Sequence, residues 1–118
     1  MATPNIANVA TIKPVFVSTA LTTSGAAIVD VPAESCMKIE SIYIANKDGT
    51  NTATANVYVS DDNGSSSNYL IFQVPVPPGA SISILDRPLF LDETDLIYGE
   101  ASANGDIDIV ISGTELID

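Results

Sequence analysis

The chain has 118 residues, which is enough for one domain but too few for two independently folded ones. Fifteen acidic against four basic side chains give a formal net charge of −11, which argues against a nucleic-acid interface because phosphates would find almost no cations. The sequence has no histidine and a single cysteine, Cys36, so serine–histidine–aspartate triads, histidine-ligated zinc and an internal disulfide are excluded.

The first ten residues differ from the rest of the chain. They mix small polar and apolar side chains and carry no base before Lys13, so we expect no secretory signal. No apolar run approaches the roughly 18 residues of a spanning helix, and we expect a soluble protein made in a reducing cytoplasm. The sequence predicts a flexible arm over residues 1–10 and one β-domain over residues 11–118. A mean hydropathy of +0.29 also predicts apolar surface that other chains cover, as in a homo-oligomer.

Alternation with period two predicts strands in the first half of the chain. In residues 53–60, Ala53, Ala55, Val57 and Val59 share one side, as in a half-buried strand. The Asp48-Gly49 pair before this segment predicts a hairpin. Together the predicted strands of this half are residues 15–22, 27–31, 37–46 and 53–60.

The second half continues the pattern. Residues 69–76 end in a proline-rich turn, and because proline donates no ladder hydrogen bond, we expect this strand end to lie at a sheet edge or to leave the sheet. Ile107, Ile109 and Ile111 alternate with Asp106, Asp108, Val110 and Ser112, which predicts one buried face. The absence of helical spacing and a total of about eight strands predict an all-β, antiparallel sandwich or jelly-roll-like single domain.

Several acidic clusters are candidates for chemistry. Asp92, Glu93 and Asp95, or Asp106 with Asp108, could act as paired carboxylates in glycoside hydrolysis, but such acids more often form a solvated strand face. The polar tip of residues 61–67 offers oxygens to Ca²⁺ but lacks a complete EF-hand loop. Cys36 has no base beside it and is typical of a small buried hydrophobe. We therefore predict no catalytic residue, no metal site and no cofactor.

Contact surfaces are the remaining candidates. Four tyrosines on different predicted strands could bind a sugar, although core and subunit contacts are commoner for such rings. Arg87 forms either a local ion pair or an intermolecular contact. The carboxyl-terminal apolar residues are expected to be packed, since leaving each exposed would cost about 1.5–3 kcal/mol. The predicted interface residues are Ile6, Val9, Arg87, Leu116 and Ile117; the tyrosines are Tyr43, Tyr58, Tyr69 and Tyr98.

Four ordered stretches carry a resemblance to a known group of proteins. They are residues 39–46 (IESIYIAN); 69–71 (YLI) followed by 74–81 (VPVPPGAS); 85–91 (LDRPLFL) with Asp95; and 101–103 (ASA) followed by 106–112 (DIDIVIS) with Glu115. In this order they resemble small structural proteins of tailed bacteriophages, frequent in cyanophages and marine phages. The resemblance spans residues 12–118.

The resemblance implies an all-β virion protein. Members of the group include capsid decoration (cement) proteins and neck or tail accessory proteins, and no catalytic residues come with them. We therefore expect a decoration protein, not an enzyme, that binds the outer shell, bridges capsomers and contacts the major capsid protein or other virion proteins. The alternatives are a neck, tail or fibre-associated component of the virion and, from another class, a carbohydrate-binding module.

Overall fold

β-strands dominate the part of the molecule that this computed structural model describes, residues 11–61 and 67–117. Nine strands and no α-helix lie within these residues, which confirms the predicted all-β sandwich. No helix in this part of the chain is therefore long and apolar enough to cross a membrane. The strands are β1 (Thr11–Ala20), β2 (Ala26–Asp30), β3 (Ser35–Asn46), β4 (Ala53–Ser60), β5 (Asn68–Val76), β6 (Ser81–Ser83), β7 (Leu89–Leu91), β8 (Leu96–Ala101) and β9 (Ile107–Ile117).

The strands form two antiparallel sheets. Sheet A has the order β1–β9–β3–β6, with β7 also paired to β3, and sheet B has the order β2–β8–β4–β5. Strands β1 to β4 alternate between the sheets, which is the connectivity of a jelly roll. β6 pairs with residues 43–45 of β3 and β7 with residues 37–39, so the two short strands occupy one position. The nine strands thus fill eight positions, because the chain around Pro88 interrupts one of them.

The core lies between the sheets and follows the predicted alternation. Ile107, Ile109 and Ile111 of β9 are fully buried, whereas Asp108 between them is only partly covered. The same core cluster receives smaller side chains from β4, namely Ala53, Ala55 and Val57, with Val59 packed against it. Burying three isoleucines contributes roughly 1.5–3 kcal/mol each relative to exposure.

The hairpin predicted at Asp48 is wrong. β3 lies in sheet A and β4 in sheet B, so the loop between them crosses from one sheet to the other. The buried amide of Asn46 holds this crossing: its Nδ2 donates to the carbonyl oxygens of Asn51 and Val76, both at 2.9 Å. Its Oδ1 accepts from the backbone N–H of Asp48, also at 2.9 Å. Three hydrogen bonds of one buried side chain therefore outweigh the local hairpin preference of the Asp-Gly pair.

One further expectation is confirmed. β5, which contains Pro75, is an edge strand of sheet B, where a missing ladder donor is tolerated. Leu116 and Ile117 end β9, whose backbone pairs with β1 and β3, and their side chains are half-buried.

A β-bulge in β3 depends on a glycine in β9. The pairing register of these strands shifts between Ile39 and Ser41. At Gly113, the partner of Ile39, an added Cβ would clash with the carbonyl oxygen of Lys38 and lie 2.9 Å from the Ile39 Cα. Glycine is the residue that allows this close approach of the two backbones.

Replacing Ile109 with Asp tests the inward face. The substitution places an uncompensated charge at a fully buried position. The free-energy cost of burying this charge should be as large as a typical folding free energy, about 5–15 kcal/mol, so the variant should not fold. Asp108→Asn, one residue away on the opposite face, should change stability by less than about 1 kcal/mol, since Asp108 pairs with Lys47 near the surface. Circular dichroism and thermal unfolding measure both variants. A cooperative unfolding transition of Ile109→Asp at the wild-type temperature would show that the faces are assigned backwards.

Replacing Asn46 with Ala tests the crossing between the sheets. We expect a loss of about 2–4 kcal/mol in the free energy of unfolding, because the change leaves three backbone partners without the buried amide. Asn51→Ala is the matched control, since that exposed amide donates one long hydrogen bond, 3.3 Å, to Asp48. Denaturant titration gives both values. Equal effects of the two substitutions would contradict the role of Asn46.

Candidate functional site

The predicted interface residues fall in two places. Leu116 pairs with Ile12 and Cys36, and Ile117 pairs with Thr11, so both lie at the end of sheet A where β1 begins. Arg87 is exposed in the bend between β6 and β7, at the opposite edge of the same sheet. Ile6, Val9 and the predicted arm of residues 1–10 lie outside the described residues. The structure therefore separates Arg87 from the consecutive residues Leu116 and Ile117, and the predicted interface residues do not form one site.

A buried carboxylate lies at the same end of sheet A. Glu115 is only 5% exposed, and its Oε1 lies 3.6 Å from the Nζ of Lys13 on β1. Since Lys13 is half exposed, this pair is partly screened, and its main effect is to compensate the buried negative charge. Lys13 is thus the base that faces the buried carboxylate of Glu115.

The acids at Asp92, Glu93 and Asp95 act as hydrogen-bond acceptors in turns. Asp95 Oδ2 accepts from the Asp92 N–H at 2.9 Å, and Asp92 Oδ1 accepts from the Glu93 N–H at 2.8 Å. Glu93 Oε2 accepts from the N–H of Glu34 at 2.9 Å, where Glu34 has a positive φ of 62°. These bonds explain the spacing of the acids as loop geometry rather than as a pair of catalytic carboxylates.

Metal binding finds no support in the described ranges. Among residues 11–61 and 67–117, no three acidic, cysteine or histidine side chains group together to hold an ion. The predicted tip at 61–67 connects β4 and β5, which pair as an antiparallel hairpin. Residues 62–66 of that tip lie outside the described residues, so its cation and glycan hypotheses stay predictions.

Cys36 is half-buried beside a negative charge. Burial, followed by the nearby carboxylate of Asp92, raises the pKa of the thiol. A raised pKa keeps the sulfur protonated at neutral pH, whereas a nucleophilic cysteine requires the opposite shift.

Three of the four tyrosines form an aromatic row on the outer face of sheet B. The rings of Tyr58 and Tyr98 are stacked 5.2 Å apart with an interplanar angle of 3°, and Tyr69 lies 4.9 Å from Tyr58. Phe72 continues the row with an edge contact to Tyr69 at 4.9 Å. The stack covers one face of Tyr58 and one face of Tyr98, and Tyr69 also contacts Tyr58, so Tyr58 has little free ring face for sugar stacking. Tyr43 lies on the other sheet, so the four tyrosines do not form one site.

Hydrogen bonds and charge complete the outer face of sheet B. Asn56 donates to Glu100 Oε1 at 2.8 Å and accepts from the backbone N–H of Gln73 at 2.6 Å. Partial burial and then the charge of Glu100 raise the pKa of Tyr58, so its hydroxyl remains neutral at physiological pH. The contacts on this face are thus made largely within the protein.

A cavity of about 350 Å³ opens between the edge strands β1 and β2. Its lining contains no acidic or basic side chain: Val17, Thr19, Ala20, Leu21, Thr22, Ala26, Ala27, Ile28 and Gly99. A second depression, of about 280 Å³, includes Lys47 and Asp108, which pair with each other at 2.9 Å. Neither place combines a nucleophile, a base and a stabilising group, as catalysis requires.

The outer face of sheet A carries exposed apolar side chains that the sequence interpretation missed. We call face A the outward-pointing residues of β1, β3, β7 and β9, represented by Ile12, Phe16, Tyr43, Phe90, Val110 and Leu116. In β1, the inward residues Val15 and Val17 are also apolar, so the strand is hydrophobic on both sides. This pattern in the sequence could have revealed face A, since a strand with one solvated face normally has polar residues at every second position.

Comparison of the sequence with known proteins identifies no family. No protein-family model matches the chain, and no curated protein matches it.

Comparison of the structure gives phage proteins. A chain in the solved structure described as the acidic stable capsid of Helicobacter pylori bacteriophage KHP30 matches with a TM-score of 0.52 at 8% identity, covering 93% of this chain and 90% of that chain. A pentameric capsid protein isolated from metagenomic phage sequences matches with a TM-score of 0.42 at 13% identity, covering 86% of this chain. The alignment spans 61% of that second protein, which is thus the longer of the two. At 8% identity the first match shows a shared sandwich fold.

The reactivity of Cys36 tests its electrostatic environment. We expect alkylation of the folded protein by iodoacetamide at pH 8 to be slower than alkylation of the unfolded chain, because the raised pKa leaves less thiolate. Asp92→Asn should lower the pKa of Cys36 and speed the reaction, whereas Glu40→Gln, with the same change in net charge, should not. Mass spectrometry follows the adduct, and an unchanged or slower rate in Asp92→Asn would contradict the assignment.

Proposed function

We propose that this chain is a structural protein of a bacteriophage virion, and specifically a capsid decoration protein that binds the outer shell and bridges capsomers. The observation that carries the proposal is the mutual coverage of 93% and 90% with a chain of a phage capsid structure. The resemblance of residues 12–118 to small phage structural proteins implies the same class. Since one fold hosts many functions, the surfaces must supply the rest of the support.

The chemistry of the described residues suits a role that transforms no molecule. The cavity between β1 and β2 lacks charged side chains, and the acids at 92–95 serve as turn acceptors. Most acids of the described residues lie in loops, where they give the particle surface a negative charge that keeps particles soluble and mutually repelling. These loop acids are Glu34, Asp48, Asp61, Asp86, Asp92, Glu93, Asp95 and Asp106.

The shell contact is placed at the end of sheet A where β1 begins. Leu116 and Ile117 lie there, and Val9 and Ile6 precede Thr11 by two and five residues in the chain. Leu116 and Ile117 give this strand end two apolar side chains for contact with the major capsid protein or another virion protein. Arg87, at the other edge of the sheet, is proposed to reach a neighbouring capsomer, since arginine suits interfacial ion pairs.

The number of copies per particle tests the proposal. Quantitative mass spectrometry of purified virions should find on the order of dozens to hundreds of copies, as symmetric decoration of a shell requires. A few copies per virion would instead favour the neck, tail or fibre-associated alternative. Particles that contain none of this protein would contradict a virion role altogether.

A further inference from the structure

Face A exposes more apolar side chain than a solvated sheet face normally does. Phe16 is 70% exposed, Phe90 67%, Ile12 65% and Tyr43 49%. Isolated exposed apolar residues are ordinary, but contiguous apolar patches on one face mark interaction sites. These four side chains share the outer face of a single sheet.

The relief of face A is complementary to itself. Phe16 on β1 and Ser41 on β3 both pair in register with Ser112 on the central strand β9. Ser41 and Ser112 therefore form a small shallow floor beside Phe16. Tyr43 and Val110 stand next to this floor on the same two strands, and the rings of Phe16 and Phe90 stand on strands to either side. In a pair of chains related by a two-fold axis, the aromatic rings of each chain can pack on the serine floor of the other. An isologous contact requires this kind of self-complementary surface.

The charges on face A favour a second copy of the chain, rather than a cationic protein, as the binding partner of this face. The chain carries −11, yet on and beside face A Lys38 and Lys47 stand against Glu40, Asp108 and the Asp92 that follows β7, so the local charge nearly cancels. Lys47 is already paired with Asp108 at 2.9 Å, and the Nζ of Lys38 lies 6.0 Å from the centre of the Phe90 ring. Two strongly acidic copies repel each other, so they approach most easily where the local charge cancels. A cationic partner would be drawn to the acidic loops instead.

The size of face A fits a small specific dimer. Ten residues along β1 at about 3.3 Å each and four strand positions at about 4.8 Å each give a face of roughly 600 Å². Two such faces bury roughly 1,200 Å², which is the lower limit for specific interfaces. Sheets that pack face to face lie about 10 Å apart at about 30°, with interdigitated side chains.

The geometry points to a homodimer in which face A of one chain packs against face A of a second copy around a two-fold axis. Phe16 and Phe90 are the central apolar contacts of this dimer. The inference concerns the purified chain. Leu116 belongs both to face A and to the proposed shell contact, so shell binding would compete with this dimer, and the inference can fail while the proposed function stands.

Paired phenylalanine variants test the inference. Sedimentation velocity across about 1–200 μM should give twice the mass of the chain for the wild type, with a dissociation constant of micromolar order. Phe16→Glu should raise that constant by at least about 30-fold, because it buries an unpaired charge at the contact. Phe72→Glu is the matched control, since it makes the same change in charge at a 58% exposed phenylalanine on sheet B and should change the constant by less than about 3-fold.

A second variant and a folding measurement complete the test. Phe90→Glu, on a different strand of face A, should weaken the dimer as Phe16→Glu does, and circular dichroism should show all three variants folded. A wild type that is monomeric over the whole range would overturn the inference and leave face A open to a different protein. A dimer weakened by Phe72→Glu but not by either face A variant would overturn it in favour of sheet B.

Discussion

β9 is the strand on which the rest of the structure depends. It pairs with β1 along ten residues and with β3 along its whole length, while Ile107, Ile109 and Ile111 fill the core. This double pairing fixes the register of both neighbours, because a slip by one residue would turn the isoleucines outward. The same register pairs Phe16 with Ser112 and places the carboxyl end of β9 beside the start of β1.

The two outer faces of the sandwich differ because their aromatic residues are used differently. On sheet B, Tyr58, Tyr69, Tyr98 and Phe72 contact one another, and Asn56 bonds to Glu100, so most of the available interactions are already made. On sheet A, Phe16 and Phe90 remain largely exposed. The carboxylates of Asp92 and Asp95 belong to neither face, since they accept hydrogen bonds within a turn.

Part of this architecture was predictable from the sequence and part was not. The alternation of Ile107, Ile109 and Ile111 identified the buried face, since only an extended strand places them together. The crossing between β3 and β4 was not predictable, because the Asp-Gly pair favours a hairpin and the buried bonds of Asn46 appear only when Val76 is brought near. Face A was not predicted because the sequence of a strand that is apolar on both sides does not indicate which side packs against the core.

A cryo-EM map of the intact virion tests the central claim most directly. We expect density for a jelly-roll sandwich at many symmetry-related positions on the outer shell, with the end of sheet A that contains Leu116 directed toward the major capsid protein. A map that accounts for all density of the shell, neck and tail without this fold would contradict the claim that the chain acts as a structural part of the particle.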